Sequence, residues 1–220
     1  VYFYSSKTPF SNWNITPGIK YDGYEFSSSE TLFMYLKAKV FRDDEMATRI
    51  VPLDPKEAKR CGRLVCNYID EIWERERENA MYIALKAKLE ASPEFRDALL
   101  SEEYRGKTFV EASPYDKIWG IKLSVAEAYA GKQWNGLNLL GKLLTELRDE
   151  TLGLIAPQNR KITPISQEDV ESIKPKTSPT KKMVPSKNTY STDGEMVFSI
   201  LGGIIGDIVG SSREGYGHNT

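Results

Sequence analysis

Ser27-Ser28-Ser29-Glu30-Thr31-Leu32-Phe33-Met34-Tyr35-Leu36-Lys37-Ala38-Lys39-Val40-Phe41 reads as a helix over about 29–42, entered through serines. Leu32, Phe33, Leu36 and Val40 form its apolar stripe. Glu30 and Lys37 stand seven residues apart, close to two helical turns, so both leave one face with Cα atoms about 10 Å apart. A helical lysine leans toward the N-terminus, which narrows that gap. An acid and an amine a small molecule's width apart suit covalent or acid–base chemistry. The same residues also allow a structural reading. Ser27 followed by Glu30 spells a capping box, in which the carboxylate would serve only the helix start.

Working outward, Val1–Tyr4 and Lys20–Phe26 read as short strands around a loop holding Phe10, Trp13 and Pro17-Gly18. Asp54-Pro55-Lys56-Glu57 opens a short helix to about Gly62. A long helix is expected from about Asn67 to Ala91, and another short one from Ser92-Pro93. Thr108–Glu111 reads as a strand, followed by a turn-rich Ala112–Asp116 and Trp119-Gly120. A last helix is expected from about Leu137 to Leu152. The fold class is α+β: a mostly helical compact single domain with a few short strands, followed by a disordered linker and a helical tail.

The 220 residues, 40% hydrophobic and 28% charged, allow one substantial core plus extras. A net charge of -1 gives no global pull toward nucleic acid, so such contacts need a local basic patch. The single histidine, His218, lies near the end of the sequence. That excludes a histidine triad or histidine metal site in the main body and leaves carboxylates, lysine, tyrosine and hydroxyls to do any chemistry. Cys61 and Cys66 are too few for a disulfide framework, which favours a reducing cytoplasm. No membrane span is expected.

Three segments follow from composition: a body over 1–153, a Pro/Lys-rich linker over 154–195 and a separate piece over 196–220. Residues 157–187 hold five prolines and seven basic residues against three acids, a local balance of +4, with few apolar side chains to offset ordering entropy. At Met196 the text changes to an apolar run with Gly202, Gly206 and Gly210, too short to span a bilayer and interrupted by Asp207.

Phe10-Ser11-Asn12, Glu30 with Lys37-Ala38, Ala58-Lys59 with Gly62-Arg63, Thr108 with Glu111, Asp116 with Trp119-Gly120, and Gly136-x-Asn138-x-x-Gly141 ending at Arg148 occur in this order. Together they resemble the NADAR family over roughly residues 1–152. That resemblance implies a compact α+β domain cleaving a ribosyl C1′–N bond, either removing ADP-ribose from guanine bases in nucleic acid or hydrolysing phosphoribosylaminopyrimidine intermediates of riboflavin biosynthesis. Ile200–Ser211 resembles the opening helix of ADP-ribosylglycohydrolases, so 196–220 reads as the truncated start of such a domain. That neighbour favours an ADP-ribosyl substrate.

On the resemblance, Lys37 becomes the expected Schiff-base nucleophile, provided its surroundings lower its pKa, and Glu30 the proton carrier. Lys39 is the rival amine, about 200° round the helix. Asp116 is an expected catalytic acid or ribose ligand, or alternatively an Asx-turn residue. Substrate contacts are expected from Phe10, Asn12, Tyr24, Lys59, Arg63, Glu111, Trp119, Gly120 and Asn138, with Trp119 stacking on a base or packing in the core. No cofactor and no metal are expected in the body. The expected partner is ADP-ribosylated nucleic acid or a ribosylated nucleobase-like small molecule, with no membrane and no obligate protein partner. A non-catalytic ADP-ribose-binding module is the remaining alternative.

Overall fold

In the computed structural model the described residues are 1–173. The chain opens with β1 (Tyr2–Phe3), then β2 (Ile19–Tyr21) and β3 (Tyr24–Phe26). Asp22 and Gly23 between the last two take φ 51° and 79°, the left-handed pair that a two-residue hairpin needs. They pair Ile19 with Phe26 and Tyr21 with Tyr24. Helices α1 (Ser29–Val40), α2 (Asp44–Ile50), α3 (Pro55–Gly62), α4 (Asp70–Ala91) and α5 (Pro93–Leu99) follow. Next come a single 3-10 turn at Glu102–Tyr104, β4 (Val110–Glu111), α6 (Val125–Tyr129), α7 (Leu139–Thr151) and α8 (Gln167–Ile173). Strand β4 runs parallel to β1, pairing Tyr2 with Val110 and Phe3 with Glu111. The architecture is the expected α+β body, mostly helical with few short strands.

The expected apolar stripe understates α1. Every residue of it is buried except Lys37 and Lys39, because α2, α3 and α4 all pack around it. A helix enclosed on all sides loses its amphipathic signature. Three short helices escape the sequence reading: α2, α6 and α8. The first was legible, since the Asp43 carboxylate accepts the Met46 N–H at 3.0 Å and two acids fill the first turn. Arg42 at φ 53° turns the chain sharply between α1 and α2.

The linker expectation needs correction for residues 154–173. Ile165 and Val170 are buried in the main core. The Ile165 N–H donates to the Val40 carbonyl at 2.8 Å, satisfying an open group at the end of α1. Arg42 Nε donates to the Ile165 carbonyl at 2.6 Å, and the Thr163 N–H to the Glu76 carboxylate at 2.9 Å. Two buried apolar side chains and hydrogen bonds to the end of α1 and to the buried Glu76 carboxylate of α4 hold a segment that its composition alone leaves loose. The rest of the expected linker and the apolar run from 196 lie outside the described residues. Among the described residues no helix is long and apolar enough to cross a membrane.

Candidate active site

The serines before α1 resolve the ambiguity of Glu30. Ser28, at φ −163° and ψ 164°, is the cap, and its Oγ accepts the Thr31 N–H at 3.1 Å. The capping box expected from Ser27 and Glu30 does not form. The cap sits one residue later, and the Glu30 N–H instead donates to the Asn12 carbonyl at 3.1 Å. The carboxyl is therefore free of helix duty, yet the residue is only 4% exposed. Its nearest cation is Lys59 Nζ on α3, at 3.7 Å. Desolvation raises the Glu30 pKa; Lys59 opposes this and Asp116 adds to it.

Two further carboxyls join from the β4 side. Desolvation, then the charge of Asp116, pushes Glu111 up to about 7, with Lys59 opposing and Glu30 adding. Glu111 Oε2 is buried without a hydrogen-bond partner among the described residues. Its backbone is fixed on both sides. The N–H donates to Asn138 Oδ1 at 3.0 Å, and the carbonyl accepts the Ile121 N–H at 3.0 Å. A Cβ on Gly120 would sit 2.8 Å from that carbonyl, so only glycine lets the two backbones meet. Asp116 Oδ1 accepts the N–H groups of Ile118 and Trp119, both at 2.8 Å. Oδ2 takes no part in those bonds, and Asp116 lines a cavity of about 750 Å³ together with Trp13, Lys59, Arg63, Ser113 and Tyr115. The turn role and the cavity role of Asp116 thus coexist.

Lys37 occupies a niche of its own and is not among the residues lining this cavity. Its Nζ donates to the Gly62 carbonyl at 2.9 Å, next in the chain to Arg63. It lies 4.4 Å from the Tyr68 ring centroid and 5.4 Å from that of Trp73. Desolvation lowers its pKa, with Asp70 opposing. Met34, between Glu30 and Lys37 on the helix, packs so closely that a Cβ on Gly62 would fall 2.1 Å from its Sδ. The rival Lys39 is engaged with Asp44 elsewhere.

The structure brings Glu30, Lys59, Arg63, Glu111 and Asp116 together. It does not do so for all the expected contacts. Phe10 is buried among Phe3, Phe95, Tyr104 and Phe109; it is a core residue. Asn12 is buried too, its Nδ2 on Met81 Sδ at 3.2 Å and its carbonyl holding the start of α1. Asn138, in the left-handed region at φ 54°, cross-links Glu111 and Phe109 through its amide. Tyr24 packs on Tyr35 beside Asp22, away from the carboxyls. Trp119 packs edge-on against Phe33 at 5.3 Å, and Gly120 serves backbone packing. Asn12 and Asn138 hold the backbones of α1 and β4 that carry Glu30 and Glu111, whereas Phe10, Tyr24 and Trp119 pack on other aromatic rings. A sequence shows a side chain's chemistry but not its direction.

The sequence reading missed Trp13, which lines the cavity with Lys59 Nζ 5.4 Å from its ring centroid. It also missed Tyr68 and Trp73. Lys88 went unnoticed although it is fully buried, its Nζ donating to the Pro9 and Ser11 carbonyls at 2.7 and 2.9 Å. No sequence signal separates it from the neighbouring lysines of α4. Volume alone does not select the site. A cleft of about 730 Å³ lies between β2, α4 and residues 158–162, but it gathers no group of carboxyls, and two of its cations are engaged as Lys86–Glu150 and Arg160–Glu146 pairs.

The family model of the NADAR domain matches residues 2–152. The chain belongs to that family. Against curated proteins this NADAR domain is 36% identical over 129 residues to an N-glycosidase of Acanthamoeba polyphaga mimivirus, covering 57% of this chain and 75% of the relative. It is 34% identical over 152 residues to N-glycosidase YbiA of Escherichia coli, covering 67% and 86%. A 105-residue match at 38% identity to the chloroplastic riboflavin biosynthesis protein PYRR of Zea mays covers 46% of this chain but 15% of that protein. The solution structure of YbiA from E. coli superposes with a TM-score of 0.56 at 30% identity, over 73% of this chain and 90% of that one. The described carboxyl cluster and Lys37 both lie inside the matched NADAR segment.

Proposed function

We propose that this NADAR domain is an N-glycosidase hydrolysing a ribosyl C1′–N bond, with ADP-ribose on a guanine base of nucleic acid as its substrate. The observation that carries the reading is the Glu30 carboxyl: buried, released from helix capping, and grouped with Glu111, Asp116 and Lys59. Cleaving a C1′–N bond calls for an acid at the leaving nitrogen and a base for the attacking group, as in other glycosidic hydrolyses. Burying several carboxyls around one amine keeps some protonated and some not at a single pH.

Lys37 is the nucleophile in this proposal. Desolvation shifts this amine toward its free base, and the N–H given to the Gly62 carbonyl leaves the lone pair of that form open. Attack on the ring-opened imine displaces the base and leaves a Schiff base that water hydrolyses. Glu30 and Asp116 carry the protons. Lys59 and Arg63 on the cavity wall suit a pyrophosphate, and Trp13 suits a stacked base. A cavity of about 750 Å³ falls in the range of nucleotide-sized ligands. The sequence resemblance of residues 200–211 to an ADP-ribosylglycohydrolase supports the ADP-ribosyl choice, and the free thiols of Cys61 and Cys66 suit a cytoplasmic setting.

A second reading, hydrolysis of phosphoribosylaminopyrimidine, is favoured by the match to the maize riboflavin biosynthesis protein. Incubation with ADP-ribosyl-guanine DNA and with phosphoribosylaminopyrimidine separates the two. Release of ADP-ribose from DNA is the expected result. Release from the pyrimidine alone selects the second reading, and calorimetric binding of ADP-ribose without release from either would make the domain a binding module.

A further inference from the structure

Asp116 and Lys59 line the cavity, Glu30 stands behind Lys59 and the Glu111 and Asp116 backbones meet at Gly120; the three carboxyls are not equivalent. Asp116 faces the cavity, with Oδ2 outside its turn hydrogen bonds. Glu30 has Lys59 at 3.7 Å. Among the described residues no cation pairs with Glu111 and its Oε2 is buried with no hydrogen-bond partner. A buried carboxylate in that condition is costly, whereas the neutral acid is not. The strand also gives it no freedom to leave. Asn138 holds its N–H, Ile121 holds its carbonyl, and Gly120 is pressed against the same carbonyl. Glu111 thus joins a backbone pinned on both sides to a side-chain oxygen that is buried and unpaired, an arrangement that suits a group holding a proton. The charged groups facing it are Asp116, Lys59 on α3 and Glu30 on α1.

We propose that Glu111 stores the proton that departs with the base, relaying it through Asp116 to the leaving nitrogen. The assignment rests on the N-glycosidase reading above and makes Glu111 a positioning residue, with Asp116 as the group that meets the substrate. In the step concerned, the C1′–N bond to the base breaks and its electron pair stays on nitrogen. That nitrogen takes the proton of Asp116 as Asp116 takes the proton of Glu111. The lone pair of the Lys37 nitrogen makes up the lost bond at C1′, giving an iminium. Water then adds to C1′, the sugar leaves as the aldehyde, Lys37 recovers its free amine, and the proton released returns through Glu30 to Glu111. The carboxyl is half protonated at about 7, so the store empties, and turnover falls, as the pH rises through that value.

Phosphoribosyl anilines of graded leaving-group basicity provide the test, because 4-nitroaniline departs without full protonation and unsubstituted aniline does not. In full-length Glu111→Gln, kcat on the aniline substrate should fall by about 10²-fold or more, while the 4-nitroaniline substrate stays within a few fold of wild type. The alkaline limb of the wild-type pH–rate profile near 7 should vanish in Glu111→Gln and partly return in Glu111→Asp. Thermal melts of both variants check folding. Equal losses on every leaving group with the alkaline limb unmoved would overturn the assignment and leave Glu111 a structural residue. If wild type cleaves neither this series nor ADP-ribosyl-guanine DNA, the N-glycosidase reading itself fails and the proton store falls with it; if it cleaves only the DNA, the pH–rate comparison of wild type with Glu111→Gln is decided on that substrate.

Discussion

The two ionisable residues on one face of α1 meet different fates. Glu30, in the first turn, is buried among carboxyls with one amine 3.7 Å away. Lys37, two turns on, rests on the faces of Tyr68 and Trp73 and hydrogen-bonds a backbone carbonyl. Neither neutralises the other. Desolvation raises the pKa of the acid and lowers that of the amine, which brings both toward their neutral forms. A direct Glu30–Lys37 ion pair would have done the reverse and locked in both charges. Keeping the two apart is what leaves an acid able to give a proton and an amine able to attack at the same pH.

Removing either end tests that division, and the amine should matter most. Lys37→Ala is expected to reduce turnover to background with little change in melting temperature, and Lys39→Ala to change neither. Borohydride in the presence of substrate should trap an adduct on Lys37 by mass spectrometry. Unimpaired turnover in Lys37→Ala would end the nucleophile role. Glu30→Gln should slow the reaction by about 10²- to 10⁴-fold without loss of stability, because the residue does not cap the helix. The true cap gives the opposite pattern: Ser28→Ala should cost about 1 kcal/mol in denaturant titrations and spare the rate where the protein is still folded.

Lys88 extends the comparison to an amine that is buried for structure. Desolvation, opposed by Glu94, lowers its pKa to about 7. The unfolded chain therefore binds more protons between about 7 and the ordinary lysine value, and stability should rise with pH across that window. Lys88→Met should flatten this slope. It should also destabilise by about 2–4 kcal/mol, since the Pro9 and Ser11 carbonyls lose their donor. Urea titrations at pH 7 and 9 measure both effects. A smaller boundary effect follows from the packing of residues 154–173. Ending the chain after 153 should cost roughly 1.5–3 kcal/mol for each of the buried Ile165 and Val170 side chains, whereas ending it after 176 should leave the rate unchanged. Equal stability of the two truncations would restore the earlier boundary.

Much of this was legible in the sequence. The Glu30–Lys37 spacing, the Asp-Pro entry to α3 and the apolar repeats of α4 and α7 are local patterns. Local sterics and hydrogen bonding fix them within a few residues. Lys20–Phe26, by contrast, read as one strand, is a hairpin turning at Asp22-Gly23. Asn12, Asn138, Phe10 and Gly120 were expected at the ligand because their chemistry suits one; what the sequence did not show is that each contacts a segment distant in sequence, such as Met81, Phe109, Phe95 or Glu111.

By itself, then, the sequence determined the helical α+β class, the NADAR resemblance, and which face of α1 carries an acid and an amine, because helical periodicity and capping act over a few residues. Only the tertiary structure decided that Ser28 rather than Ser27 caps α1. It likewise decided that Glu30 faces Lys59 and two more carboxyls, that Lys37 is set on aromatic faces, and that Glu111 is left without a partner among the described residues. Those outcomes depend on which segments meet across tens of residues and on how much water is excluded when they do. Desolvation, the leading cause of the pKa shifts in this site, exists only after the chain has closed around it.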